Sequence, residues 1–189
     1  MANTVTSLST SSLKVYNPDA LYVTPFENDV RGTTTYKLNE VIRDTTTITQ
    51  EDPTESPIEN EFGSAPIINN VTLGSYAFSA EVADMQSTLL EKLCGYKKGS
   101  TNQDRAFAPS TYTPIYAEIA LVFKTGEGKY VAAVLPKVQL NSKATFDSLS
   151  SSMGRITLAG TGLNIAVQDG ADTVETPFYI DSNWSTAEL

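Results

Sequence analysis

The segment "IYAEIALVFKTGEGKYVAAVLPKVQL", residues 115 to 140, constrains the fold more than any other part of the chain. Two apolar runs flank "TGEG", whose glycines can take the positive φ of a tight reversal, so the segment predicts a β-hairpin. On the first strand Ile115, Ala117, Ile119, Leu121 and Phe123 share one face, while Tyr116, Glu118, Ala120, Val122 and Lys124 share the other. The second face is only half polar. A strand of that pattern is covered on both sides, by a helix or by a neighbouring subunit.

The remaining pattern extends the β reading. "TTTYKLNEVIRDTTTITQ", residues 33 to 50, is rich in Thr and β-branched residues and predicts one long strand or two shorter ones. "NNVTLGSYAFSAEVAD" alternates through Val71 and Leu73 and then, past Gly74, through Tyr76, Phe78, Ala80 and Val82. The change of parity predicts a bulge at Gly74. "SKATFDSL" predicts a further strand, and "GRITLAGTGLNIAVQDG" a last long one, with a bulge or bend at "GTG", 160 to 162. The one helical segment is "DMQSTLLEKLCG", with Asp84 as N-cap, an apolar stripe at Met85, Leu89, Leu90 and Leu93, Lys92 in the last turn and Gly95 just past the end. About ten residues do not hold a helix alone, so the stripe must pack on a sheet.

The expected architecture is therefore mainly β: an antiparallel β-sandwich or barrel with one short flanking α-helix over about 84–94. At 189 residues the chain is most simply one domain, over 15–170, with a long loop region at 44–70. A Ser- and Thr-rich arm precedes it at 1–14, and a C-terminal arm follows at 171–189, anchored by Phe178, Tyr179 and Trp184. No internal repeat is present. Open sheet edges in such a domain invite pairing with another chain.

Charge and composition exclude several functions. The 13 basic and 22 acidic residues give a net charge of -9, which disfavours tight attachment to nucleic-acid phosphates while allowing passing contact. The sequence contains no His, so the commonest general base and zinc ligand is missing, and Ser and Cys triads are excluded in their usual form. The one cysteine, Cys94, has no internal partner and reads as a small core residue. The N-terminal stretch lacks the apolar run of a signal peptide, and no stretch approaches the roughly 20 apolar residues of a membrane helix. The expectation is a protein made in a reducing cytoplasm, for which the sequons at Asn70 and Asn183 are chance matches.

"ITQEDPTESPIENEFGSAPI", residues 48 to 67, holds Glu51, Asp52, Glu55, Glu59 and Glu61, with Pro53, Pro57 and Pro66 and no basic residue. It lacks the glycine-pivoted spacing of a calcium loop, and its prolines stiffen the backbone where it would have to wrap a cation. A solvated loop outweighs a metal site, and no metal or other cofactor is expected. "GEGK" lacks the length and following helix of a phosphate loop, and "GTGLN" lacks the third glycine of a dinucleotide fingerprint. Nothing selects one carboxylate pair for glycoside hydrolysis. Lys97, Lys98 and Arg105, near Tyr96 and Phe107, could form a nucleic-acid patch, but they more simply complement the acidic loop of a neighbouring copy. A different class of function, a carbohydrate-binding module, rests on nine Tyr and the lone Trp184.

The order of these features, a Thr-rich strand, "ITQEDPTESPIENEFGSAPI", an alternating strand, "EVADMQSTLLEKLCG" and then the hairpin with "LPKVQLNSKATFDSLSSSMGRITLAGTGLN", resembles the major tail tube proteins of long-tailed, siphovirus-like bacteriophages over roughly residues 30 to 170. The resemblance implies a β-sandwich flanked by one helix, a homo-oligomer of hexameric rings stacked into a tail tube, other virion tail proteins as partners, and genomic DNA passing without specific binding. It implies that the acidic loop and the arms reach the adjacent ring. The type VI secretion tube proteins look similar in fold. Related alternatives are a tail-completion or connector ring and a head decoration protein of the virion. No sizeable added domain follows residue 170, which departs from some members of the family.

Overall fold

The computed structural model describes residues 15–58, 68–146 and 154–185. The expected N-terminal arm, 1–14, lies outside them. The protein is mainly β with one short helix among the described residues. In chain order the elements are β1 (Val15–Glu27), β2 (Val30–Arg31), β3 (Tyr36–Leu38), β4 (Thr47–Gln50), β5 (Thr54–Ile58), β6 (Ile68–Thr72), β7 (Tyr76–Val82) and α1 (Ser87–Cys94). There follow β8 (Lys97–Lys98), β9 (Ala106–Phe107), β10 (Ile115–Thr125), β11 (Tyr130–Leu140), β12 (Lys143–Thr145), β13 (Arg155–Gly162), β14 (Ile165–Asp169), β15 (Asp172–Thr176) and β16 (Tyr179–Asp181).

The predicted hairpin is the spine of the fold. β10 and β11 pair antiparallel from Lys124 and Tyr130 back to Ile115 and Leu140. Their turn is closed by the Gly128 N–H on the Thr125 carbonyl at 3.0 Å and by the Lys129 N–H on Thr125 Oγ1 at 3.1 Å. Gly128 takes φ 78°, a left-handed conformation that costs glycine nothing.

Around this hairpin the main antiparallel sheet runs β2-β1-β10-β11-β13-β7-β4. β3 pairs with β1 through Tyr36 to Leu38, and the next few residues cross to the other flank. There Val41 bridges Val82, the Ile42 N–H donates to the Glu81 carbonyl at 2.7 Å, and the Ala83 N–H donates to the Glu40 carbonyl at 2.8 Å. One stretch, 36–42, thus stitches the first flank to the last and makes the sheet a barrel. The interior is filled by branched side chains from every wall, among them Val23, Ile119, Leu135, Val138, Ile156 and Leu158, all fully buried. Removing them from water is the main favourable term in folding.

The helix packs onto this core through Leu89, Leu90 and Leu93, the stripe expected from its spacing. It starts at Ser87, three residues after the expected cap. The Asp84 carboxylate instead accepts the Gln86 N–H at 3.0 Å, forming an Asx turn that leads into the helix. At the other end Gly95 takes φ 72°, and the Tyr96 N–H donates to the Leu90 carbonyl at 3.1 Å.

Three local expectations are corrected. The parity change at Gly74 marks no bulge: β6 and β7 belong to different sheets, and the chain changes partners there. A Cβ at Gly74 would lie 1.9 Å from the Glu51 carbonyl oxygen, so glycine is required by close backbone approach. At "GTG" β13 runs straight through, and the change comes at 163–164, where the chain leaves for β14. Gly160 is needed because β13 passes tightly over β11, with a Cβ there meeting the Gln139 carbonyl at 2.5 Å. The segment 33–50 forms the two short strands β3 and β4, and of "SKATFDSL" β12 forms while 147–149 lie outside the described residues.

The third correction concerns the second face of the hairpin, which is covered from within the chain. Ala20, Ala120 and Ala132 leave a depression lined by Val122 and Val134, and the indole of Trp184 fills it at 7% exposure. Tyr22 borders the indole with ring centroids 5.4 Å apart. β16 pairs with β11 from Tyr179 to Asp181 and delivers the indole to this place. The tail expected as an arm at 171–189 is therefore, through residue 185, part of the folded domain. Trp184→Ala is expected to destabilise the protein by about 3 kcal/mol in urea unfolding. A loss below about 1 kcal/mol would contradict the docked tail.

Candidate functional site

The acidic segment is built as a projecting ribbon. β4 and β7 pair from Gln50 and Tyr76 inward, and outward the same two chains continue beyond the sheet. The Glu51 N–H donates to the Ser75 carbonyl at 2.9 Å, the Ser75 hydroxyl bonds the Glu51 carboxylate, and β5 then pairs with β6 from Thr54 and Thr72 to Ile58 and Ile68. Every residue of β5 is exposed. Pro57 fits because an isolated ribbon has an outer edge that needs no N–H.

This ribbon carries Glu51, Asp52 and Glu55; Glu59 and Glu61, like Pro66, lie outside the described residues. It also carries exposed apolar side chains: Ile58 at 49%, Val71 at 55% and Leu73 at 76%. A two-stranded ribbon with neither face covered is marginal in water by itself. Its charge and its uncovered aliphatic groups together suit a surface that meets another molecule.

The three basic residues are gathered on a second small ribbon. Lys97 pairs with Phe107 and Lys98 with Ala106, while the Gly99 N–H donates to the Arg105 carbonyl at 2.9 Å. Lys98 is engaged within the chain, its Nζ donating to Thr88 Oγ1 at 2.8 Å and lying 3.8 Å from Glu91. Lys97 and Arg105 are exposed and form no ion pair among the described residues. The acidic and basic ribbons leave the fold at different points along the chain. The first leaves from the start of β7, and the second follows α1 beyond the end of β7.

The aromatic residues expected as an anchor act inside the domain. Phe178 stacks on Tyr76 at 4.8 Å and 15°, Tyr179 packs on the second core, and Trp184 is buried in it. With its indole buried, Trp184 offers no stacking platform for a sugar, which removes the main motive for a carbohydrate-binding module. Sequence reading missed a further ribbon, β14–β15, which pairs from Ile165 and Thr176 to Asp169 and Asp172. Its signal was the "DG" at 169–170 between alternating residues, with Gly170 at φ 62°.

Burial pushes the Cys94 thiol up to about 12, which keeps it protonated and poorly nucleophilic. Lys92, bonded to Glu27 at 2.8 Å, holds that carboxyl below the usual range, as in an ordinary surface ion pair. A groove of about 390 Å³ beside Leu21, Leu38 and Val41 carries the Arg43–Asp44 pair at its rim, both side chains almost fully exposed. Among the described residues no group of three or more Asp, Glu or Cys is placed to hold a metal ion. No described helix is long and apolar enough to cross a membrane. Cys94 is expected to resist iodoacetamide at pH 8 in the folded protein and to react at the rate of a free thiol in urea. Equal rates in both would contradict the burial.

No protein-family model matches the chain, and no curated protein matches its sequence. Among solved structures it is similar to a chain in the six-fold symmetrised cryo-EM structure of the anti-feeding prophage baseplate. The identity is 8% and the TM-score 0.42, with 93% of this chain and 98% of that one covered.

Proposed function

We propose that this chain is a structural virion protein of a phage tail, in which six copies close into a ring and rings stack into the tube that conducts DNA. The observation that carries the reading is the β5–β6 ribbon, which stands clear of the domain with Ile58, Val71 and Leu73 uncovered. A partner that buries it supplies what the isolated ribbon lacks. The resemblance to tail tube proteins in the order of segments supports the same reading. So does the outer edge of β1 ahead of Leu21, where among the described residues β3 pairs only with Leu21 to Val23 and β2 only with Phe26 and Glu27. Such an edge is a template for a strand of a neighbouring copy.

The mechanism needs no catalysis, and the reading assigns none. A wall built from a chain of net charge -9 repels phosphates, so DNA slides past it without being held. In this reading the protein is synthesised in the host bacterial cytoplasm and resides in the virion tail, in contact with other tail proteins and with no membrane.

Electron microscopy of the purified protein is expected to show hexameric rings and stacked tubes. Monomers at every salt concentration would contradict the reading, and rings that never stack would favour a tail-completion or head decoration protein. Reversing the charge of Glu51, Asp52 and Glu55 is expected to shorten the tubes. Because the ribbon lies outside the main sheet, the monomer fold should stay intact even as Glu51 gives up its bond to the Ser75 hydroxyl. Tubes of unchanged length would show that the ribbon's charge takes no part in stacking.

A further inference from the structure

The β5–β6 ribbon is not the only acidic ribbon at its end of the domain. β13 ends at Gly162, whose Cβ position lies 3.4 Å from the Cβ of Tyr76, the first residue of β7, and β14–β15 leaves the main sheet from there. The Tyr76–Phe178 stack joins the base of one ribbon to the chain returning from the other. Glu51, Asp52, Asp169, Asp172 and Glu175 therefore sit on two ribbons rooted at one end of β7. Val174, on the second ribbon, is 50% exposed.

Beyond the other end of β7 stands the β8–β9 ribbon, where Lys97, Lys98 and Arg105 outnumber Asp104. Beyond Val82 the chain forms α1 and then β8–β9, where Lys97 and Arg105 are exposed and Phe107 beside them is 55% exposed. Seven residues of β7, at about 3.3 Å each, separate the two ends by about 20 Å. One copy cannot close this pair on itself. Opposite charges at opposite ends attract between copies, and such a head-to-tail contact, when it does not close, extends into an open stack.

Building on the proposed function, we infer that the two acidic ribbons of one copy, β5–β6 and β14–β15, clasp the basic β8–β9 ribbon of a copy in the next layer. The aliphatic side chains of the ribbons cover Phe107, and the carboxylates surround Lys97 and Arg105. β14–β15 thus becomes half of the contact, and the stack acquires one polarity.

The test uses the full chain and reads tube length by negative-stain microscopy, with near-ultraviolet circular dichroism to confirm the fold of each variant. The variant Lys97→Glu with Arg105→Glu is expected to form rings and tubes at least tenfold shorter than the unmodified chain. Asp172→Lys with Glu175→Lys should shorten them similarly, and the chain carrying all four reversals should regain part of the length, because β14–β15 again faces an opposite charge while β5–β6 keeps its carboxylates. Unchanged length in either pair, or no recovery in the combined variant, overturns the clasp while the tube reading stands. An unmodified chain that forms no rings overturns both.

Discussion

The structure depends on a hairpin with two apolar faces of different grain. One face of β10 and β11 offers branched side chains and the other offers alanines, and each face dictates a different cover. The branched face can be satisfied only by a thick core, so the sheet curls until residues 36–42 join its two flanks and α1 settles on the core. The alanine face leaves room for one large flat group, and Trp184 occupies it. Because both covers come from the same chain, the spine is complete without a partner.

That completeness throws the ribbons into relief. β5–β6, β8–β9 and β14–β15 are two-stranded sheets outside the main one, and they contribute little to the core. Their uncovered aliphatic and aromatic side chains cost free energy in the isolated chain, and their charges are sorted by end of the domain. Leu73 and Phe107 stand in water on them, and in the proposed tube a neighbouring copy covers both. In that proposed tube the barrel supplies a rigid frame, and the ribbons supply adhesion without altering it.

The sequence made the strongest local signals legible. The hairpin, its glycine turn, the helical stripe and Gly95 follow from spacing and from the conformational freedom of glycine. Pairing partners were less accessible, because alternation says which side of a strand is apolar and not which sheet the strand joins. Gly74 shows the point: a change of parity read as a bulge is a change of sheet. The role of Trp184 was hidden for a related reason, since its socket is made of alanines on three distant strands that no local window brings together. The carboxylates of the acidic segment were plain in the sequence, whereas their presentation on a ribbon became visible only with its pairing to β6. Asp172 and Glu175 were passed over because a short tail with few apolar residues looks like an arm.

The central claim is that the ribbons are completed by other copies while the barrel is complete alone. Amide hydrogen exchange, measured on the monomer and on the assembled protein, tests it most directly. Amides of Thr54, Glu55, Ser56, Ile58, Val71, Thr72 and Asp172–Thr176 should exchange rapidly in the monomer and slow at least tenfold on assembly, while the non-proline amides of β10 and β11 stay slow in both. Ribbon amides that exchange equally fast in the assembled state would contradict the account.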